Sequence, residues 1–183
     1  FLSLQLRALL EMRDAAKQFN ERLAGNRLLT RFGVDWGPVT LTTVGAHAHY
    51  EYRAVGDTVN TAARIQELNK TLGTRVLLSH PGIGDTGNEF LMRDLGYFLL
   101  RGKSLAVHVY ELVNDRASAT QEQADLCARF APAIDAVRNG QYQLALARFR
   151  ELKVAFPEDG PTAFYLRTLT SGSTLDQGAL RVD

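Results

Sequence analysis

Two side chains four residues apart, Asn60 and Arg64, have the types and the spacing to bind one anionic ligand. The residues around them favour a helix, and positions i and i+4 share a helix face, so both side chains can point at the same molecule. Asp57 is a favourable N-cap for a helix beginning at Thr58, which would place the positive end of the helix dipole beside them. Arg64 offers a planar fork of donors matched to phosphate oxygens, and Asn60 both donates and accepts hydrogen bonds. The pattern predicts a site for a phosphate-bearing substrate.

The stretch around this pair, residues 51–66 (EYRAVGDTVNTAARIQ), resembles the signature of the class III nucleotidyl cyclases, the adenylate and guanylate cyclases. The resemblance continues in the family's order through residues 31–39, 72–79 and 100–104, and it covers residues 1–113. It implies a ferredoxin-like α/β sheet with helices. It also implies a reaction in which the 3′-hydroxyl of a nucleoside triphosphate attacks its own α-phosphate and pyrophosphate leaves.

The resemblance assigns a role to four residues of this sequence. Arg64 would stabilise the α-phosphate in the transition state, Asn60 would orient the ribose, and Lys103 would contact the triphosphate. Arg53 stands seven residues before Asn60, where the family reads the purine base. Adenylate cyclases commonly carry Asp or Thr there and guanylate cyclases often carry Cys or a small residue, so Arg53 fits neither pattern. ATP is favoured by analogy alone, with a guanylate cyclase as the alternative.

The metal half of the family's site is not in this sequence. The family binds two divalent cations, Mg²⁺ or Mn²⁺, through two aspartates that lie upstream of the helix with which the chain begins. We therefore expect the chain, which starts at Phe1 instead of Met, to be cut from a longer parent and to be inactive alone. His47 and His49 do not replace those ligands, because no acidic residue is closer to them than Glu51.

The family's catalytic domains pair head to tail, so this chain resembles the half of an interface site that supplies the Asn and the Arg. A homodimer or a domain-swapped dimer is therefore expected. The loss of the N-terminal strands would also leave an open sheet edge that favours association. The non-enzymatic alternative is a degenerate cyclase-like module for dimerisation or regulation, with its helical tail as a protein-binding arm.

Composition limits these possibilities. Net charge is +1, from 21 basic and 20 acidic residues, so no global field favours nucleic acid, and any anion site must be local. Only one cysteine, Cys127, is present, which excludes an intramolecular disulfide and fits a reducing compartment such as the cytoplasm. No apolar run approaches the length of about 20 residues that a membrane span needs.

Apolar periodicity outlines the elements that would hold the site. It predicts a helix over residues 2–24 with one core-facing stripe, a hairpin over 28–44, a loop or short strand over 45–56, and the signature helix over 58–72. A buried strand over 76–79 and a second hairpin over 89–113 follow. The core stripe of the first helix comprises Leu2, Leu6, Leu9, Met12, Ala16, Phe19 and Leu23.

Beyond the cyclase-like portion the composition becomes helical. A polar linker over residues 114–120 precedes helical patterns at 121–139, 142–156 and 161–170, and a Gly- and Ser-rich tail over 171–183 is predicted to fray. The spacing of Gly140, Tyr142, Ala145, Phe149 and Pro157 resembles one tetratricopeptide repeat. A lone repeat needs an apolar neighbour, so these helices would pack on the cyclase portion, on a second subunit or on a partner protein.

Overall fold

A computed structural model describes residues 2–23, 25, 28–46, 49–79, 89–171, 175–176 and 179–182. The fold is mixed α/β, as predicted. The elements in chain order are α1 (Leu2–Arg22), β1 (Phe32–Asp35), β2 (Thr40–Ala46), β3 (His49–Val55), α2 (Asp57–Leu72), β4 (Val76–Ser79), β5 (Phe90–Leu100), β6 (Val107–Asp115), α3 (Gln121–Arg138), α4 (Tyr142–Ala155), α5 (Gly160–Thr170), β7 (Leu175–Asp176) and β8 (Ala179–Val182). No helix in the described ranges is long and apolar enough to span a bilayer.

A mixed sheet forms the centre of the molecule, with strand order β1-β4-β6-β5-β8-β7. Strands β1 and β4 are parallel, β6 is antiparallel to both β4 and β5, and β8 runs parallel to β5. Strands β2 and β3 form a separate antiparallel hairpin. The hairpin leads directly into α2, so it lies next to the helix that carries the candidate site residues.

Helices cover both faces of the sheet, and the described residues form an apolar core on each face. On one face α1 packs its buried leucines against Val76, Leu78, Phe90 and Leu112. On the other face α2 and the C-terminal helices enclose a larger core, whose fully buried members include Ile65, Leu77, Phe98, Phe149 and Tyr165. The signature helix therefore shares one core with the helices that follow the cyclase-like portion.

The predicted hairpin over residues 28–44 is wrong. Its first strand, β1, pairs in parallel with the distant β4, from Phe32 opposite Val76 to Asp35 opposite Ser79. Its second strand, β2, pairs with β3, which lies in the stretch expected to be a loop or a short strand. Alternation in the sequence predicts which residues form strands but not which strands pair. The strand that pairs with β1 is more than forty residues away in the chain.

The apolar stripe of α1 is only partly core. Leu6 and Leu9 are buried with Leu10, whereas Met12 and Phe19 in the second half of the helix are about half exposed. The periodicity was correct about which face is apolar. It could not show how far the neighbouring sheet extends, because that depends on strands distant in the chain.

The C-terminal helices α3, α4 and α5 begin and end within one residue of the predicted ranges. Their apolar sides, including Phe130, Phe149 and Tyr165, face the sheet and α2. Tyr165 also donates a hydrogen bond from its hydroxyl to the carbonyl of Leu95 on β5. Where the tail composition predicted fraying, β8 continues the sheet beside β5 and buries Ala179 and Leu180. Hydrogen bonding to the edge of β5 stabilises a strand here, although the β-propensity of the segment is weak.

Candidate nucleotide site

Helix α2 begins one residue earlier than the sequence predicted. Asp57 is its first residue, and the N-cap is Gly56, whose φ of 144° is in the range that favours glycine. Asp57 is therefore a helical residue and not the N-cap, so its predicted N-cap role is wrong. The side chain of Thr58 instead anchors this turn by donating to the carbonyl of Pro38, at 3.0 Å.

The body of α2 is fixed against β1. A Cβ atom on Gly33 would lie 2.2 Å from the backbone nitrogen of Gln66, so only glycine lets the strand approach the helix this closely. The buried amide of Asn69 donates to the carbonyl of Phe32 at 3.0 Å and accepts from the hydroxyl of Thr74 at 2.9 Å. Sequence analysis missed Asn69, although a buried amide of this kind holds the helix in register with the strand.

Asn60 and Arg64 lie on one face of α2, within its first two turns. Asn60 is exposed, and its side-chain amide has no hydrogen-bond partner within the described part of the chain. The side chain of Arg64 is 40% exposed, and its Nη1 donates to the Glu67 carboxylate at 2.9 Å. An exposed i, i+3 pair of this kind is worth only about 0.3–0.5 kcal/mol, so an anionic ligand can replace Glu67 at little cost.

Lys103 reaches the same helix from the loop between β5 and β6. Its ammonium donates to Oδ1 of Asp57 at 2.6 Å, although the two residues are 46 positions apart. Three of the four predicted site residues therefore lie on the first half of α2 or reach its first residue. The role of each residue stays a prediction from the family resemblance.

Arg53 lies on β3, on the hairpin that precedes α2. Its guanidinium donates twice to one carboxylate oxygen of Glu51, from Nε at 3.3 Å and from Nη2 at 3.0 Å. Both side chains are largely exposed. Each of the three predicted substrate cations thus has an acidic partner, Glu51, Asp57 or Glu67, that sequence analysis did not identify.

Within the part of the chain that the structure describes, the side chains do not fit the two cations that the resemblance implies. Among the described residues, no group of three or more His, Cys, Asp or Glu side chains could hold a metal ion. The carboxylate of Asp35 accepts a hydrogen bond from the hydroxyl of Ser79 at 2.6 Å. His47 lies outside the described residues.

A second polar cluster joins β5 and β6 to the last residue of α3. Asp94 accepts hydrogen bonds from His108 at 2.8 Å, from the backbone of Gly96 and from Arg138. Burial opposes ionisation of Asp94, but these hydrogen bonds together outweigh burial and hold the pKa of the carboxyl below its usual value. Because Arg138 is the last residue of α3, its contact with Asp94 joins the end of that helix to β5.

Comparison with known proteins identifies the family. The family described as "Adenylate and Guanylate cyclase catalytic domain" matches residues 2–114. Adenylate cyclase 1 of Rhizobium meliloti is 36% identical over 110 residues, and the terminal-differentiation specific adenylate cyclase of Dictyostelium discoideum is 28% identical over 142 residues. The matched regions cover 58% and 75% of this chain, but only 16% and 7% of those relatives.

The adenylyl cyclase CyaB from P. aeruginosa superimposes with a TM-score of 0.47 at 23% identity, over 65% of this chain and 60% of that one.

Proposed function

This chain belongs to the adenylate and guanylate cyclase catalytic-domain family, and on that premise we propose that it supplies the Asn60/Arg64 half of an adenylate cyclase site at a dimer interface. Its parent would convert ATP to cyclic AMP and pyrophosphate in the cytoplasm. In this proposal Arg64 stabilises charge on the α-phosphate in the transition state, and Asn60 orients the ribose.

One observation carries the proposal: Asn60 and Arg64 lie on one face of the first half of α2, and the ammonium of Lys103 reaches Asp57, the first residue of the same helix. The guanidinium and the ammonium offer several donors for phosphate oxygens, and the helix N-terminus adds a positive partial charge. Asn60 is left without an internal partner among the described residues, so its amide is available to a ligand.

ATP is the favoured substrate because the two relatives described above are both named adenylate cyclases. The residue at the base-reading position, Arg53, gives no independent support for adenine. Its donors suit the acceptors of guanine, so GTP stays the alternative substrate.

The second half of the site would come from another subunit docked on the β2–β3 hairpin. On one face of this hairpin Leu41 lies diagonal to Tyr52, and both are largely exposed, at 72% and 82%. Tyr50 lies on the same face and is 67% exposed. An apolar patch of this kind is typical of an interaction surface. Because the hairpin leads into α2, a subunit docked on it would lie beside Asn60.

Light scattering on the chain tests this interface. We expect association in the micromolar range for the wild type, and a monomer for the double variant Leu41→Lys, Tyr52→Lys. The matched control replaces the exposed Val154 of α4 with Lys, which leaves the hairpin unchanged. A wild-type chain that stays monomeric at high concentration contradicts the proposed dimer.

A mixing assay tests the activity. The chain is combined with a class III cyclase subunit that keeps its metal aspartates but lacks the Asn/Arg pair, and cyclic AMP and cyclic GMP are measured by mass spectrometry with ATP or GTP and Mn²⁺. We expect cyclic AMP from the mixture and none from either component. If cyclic GMP is the only product, GTP is the substrate. No product at any ratio would favour the non-catalytic dimerisation module.

A further inference from the structure

The contact between Lys103 and Asp57 is unusual among the ion pairs near α2 because its lysine is mostly covered. Only 16% of the Lys103 side chain is exposed, compared with 85% of the Asp57 side chain. The loop is shaped to deliver this lysine: the Lys103 amide donates to the Leu100 carbonyl at 2.9 Å, and Gly102 has a left-handed φ of 75°. The stem of Lys103 is thus packed, and its ammonium is aimed at the first turn of α2.

Asp57 lies on the same helix face as the predicted catalytic residues. Positions 57, 60 and 64 are related by three and seven residues, which places their side chains along one face of α2. The positive end of the α2 dipole would repel an ammonium held there. The carboxylate of Asp57 offsets that repulsion, and the sequence provides it at the first helical position.

We propose that Asp57 is a positioning residue of the triphosphate site, which holds the Lys103 ammonium on the Asn60/Arg64 face before the nucleotide arrives. This inference rests on the proposed function. If the lysine is already ordered, binding of the nucleotide does not include the entropy loss of fixing a long, flexible side chain. Asp57 would therefore strengthen the binding of an anion, although its own charge is negative.

The sign of the effect separates positioning from simple electrostatics. Asp57→Asn removes one negative charge from beside an anion site. If charge alone mattered, triphosphate binding would tighten. Positioning predicts the opposite, a weakening of about fivefold, which corresponds to about 1 kcal/mol.

Nuclear magnetic resonance titrations of the whole chain with inorganic tripolyphosphate, and separately with ATP, measure this effect. The variants are Asp57→Asn, Lys103→Gln and the double variant, with Asp57→Glu as the conservative rescue. The matched control is Asp125→Asn, which removes the carboxylate of an exposed ion pair with Arg129 on α3. The ammonium resonance of Lys103 reports directly whether its side chain is held.

Positioning predicts that Asp57→Asn weakens binding in the wild-type background but does not weaken it in the Lys103→Gln background, where only the charge effect remains. Asp57→Glu restores part of the affinity, Asp125→Asn leaves it unchanged, and Asp57→Asn broadens or shifts the Lys103 ammonium resonance. Unchanged or tighter binding by Asp57→Asn overturns the positioning role alone. Absence of binding by the wild-type chain, with either ligand, overturns the proposed function as well.

Discussion

The buried arginine on β5 allows a quantitative test of how firmly the C-terminal helices are tied to the cyclase sheet. The side chain of Arg93 is only 4% exposed. It donates to Glu111 on β6 at 2.9 and 2.5 Å and to Asp159 at 2.8 Å, and it lies over the ring of Phe130 at 4.9 Å. Asp159 also caps α5 by accepting from the amide of Thr162 at 3.0 Å.

Arg93→Ala would leave two carboxylates, Glu111 and Asp159, in a mostly covered site without a cation. Removal of one partner from a buried pair costs about 3–5 kcal/mol, because the remaining charge has neither water nor a counter-ion. For a chain of this length about 2–4 °C of melting temperature corresponds to 1 kcal/mol, so we expect a loss of about 10 °C. Urea unfolding followed by circular dichroism measures the change in the free energy of unfolding.

Two further variants sharpen the test. Arg129→Ala is the matched control, because Arg129 also pairs with an acid and lies over a phenylalanine ring but is exposed. Its loss should be about 0.5 kcal/mol or less. The triple variant Arg93→Met, Glu111→Gln, Asp159→Asn removes the charges together and should recover more than half of the lost stability. Equal losses for Arg93→Ala and Arg129→Ala would refute the reasoning.

Two other predictions concern ionisable groups. Because the pKa of Asp94 is lowered in the folded chain, its contribution to stability is present above the unfolded pKa of about 3.9 and is lost as pH falls through the folded value. The difference in unfolding free energy between wild type and Asp94→Asn should therefore shrink as pH falls below about 4; a difference that is the same at pH 5 and pH 3 contradicts this. Burial raises the pKa of the Cys127 thiol to about 11, so a disulfide reagent at pH 8 should label it at least about tenfold more slowly than in urea. Equal labelling rates would show that the thiol is accessible.

The sequence was most informative where local pattern decides structure. The three C-terminal helices, the β5–β6 hairpin and the buried strand β4 follow from periodicity and turn residues, and each lies close to its predicted range. The candidate site residues were predicted from the signature around Asn60, because a resemblance to a family motif assigns a role to each matching position. In the structure Asn60 and Arg64 share an accessible helix face, as their spacing predicted.

What the sequence could not provide depends on contacts between distant segments. Strand β1 pairs in parallel with β4 and does not form the predicted hairpin with β2. Strand β8 pairs with β5, although the composition of its segment is typical of a flexible tail. The link from Lys103 to Asp57 spans 46 positions, so no spacing rule reveals it. Asp57 was assigned to a helix cap by its type, whereas its actual partner comes from another loop.

The most direct test of the central claim is the effect of Arg64→Ala in the mixing assay with a metal-bearing partner subunit. If Arg64 acts on the transferring phosphoryl group, its loss should lower the rate of cyclic nucleotide formation by about 10²–10³-fold. The control Arg129→Ala should leave the rate unchanged, and circular dichroism should show that both variants keep their fold. A rate that survives Arg64→Ala undiminished would contradict the account.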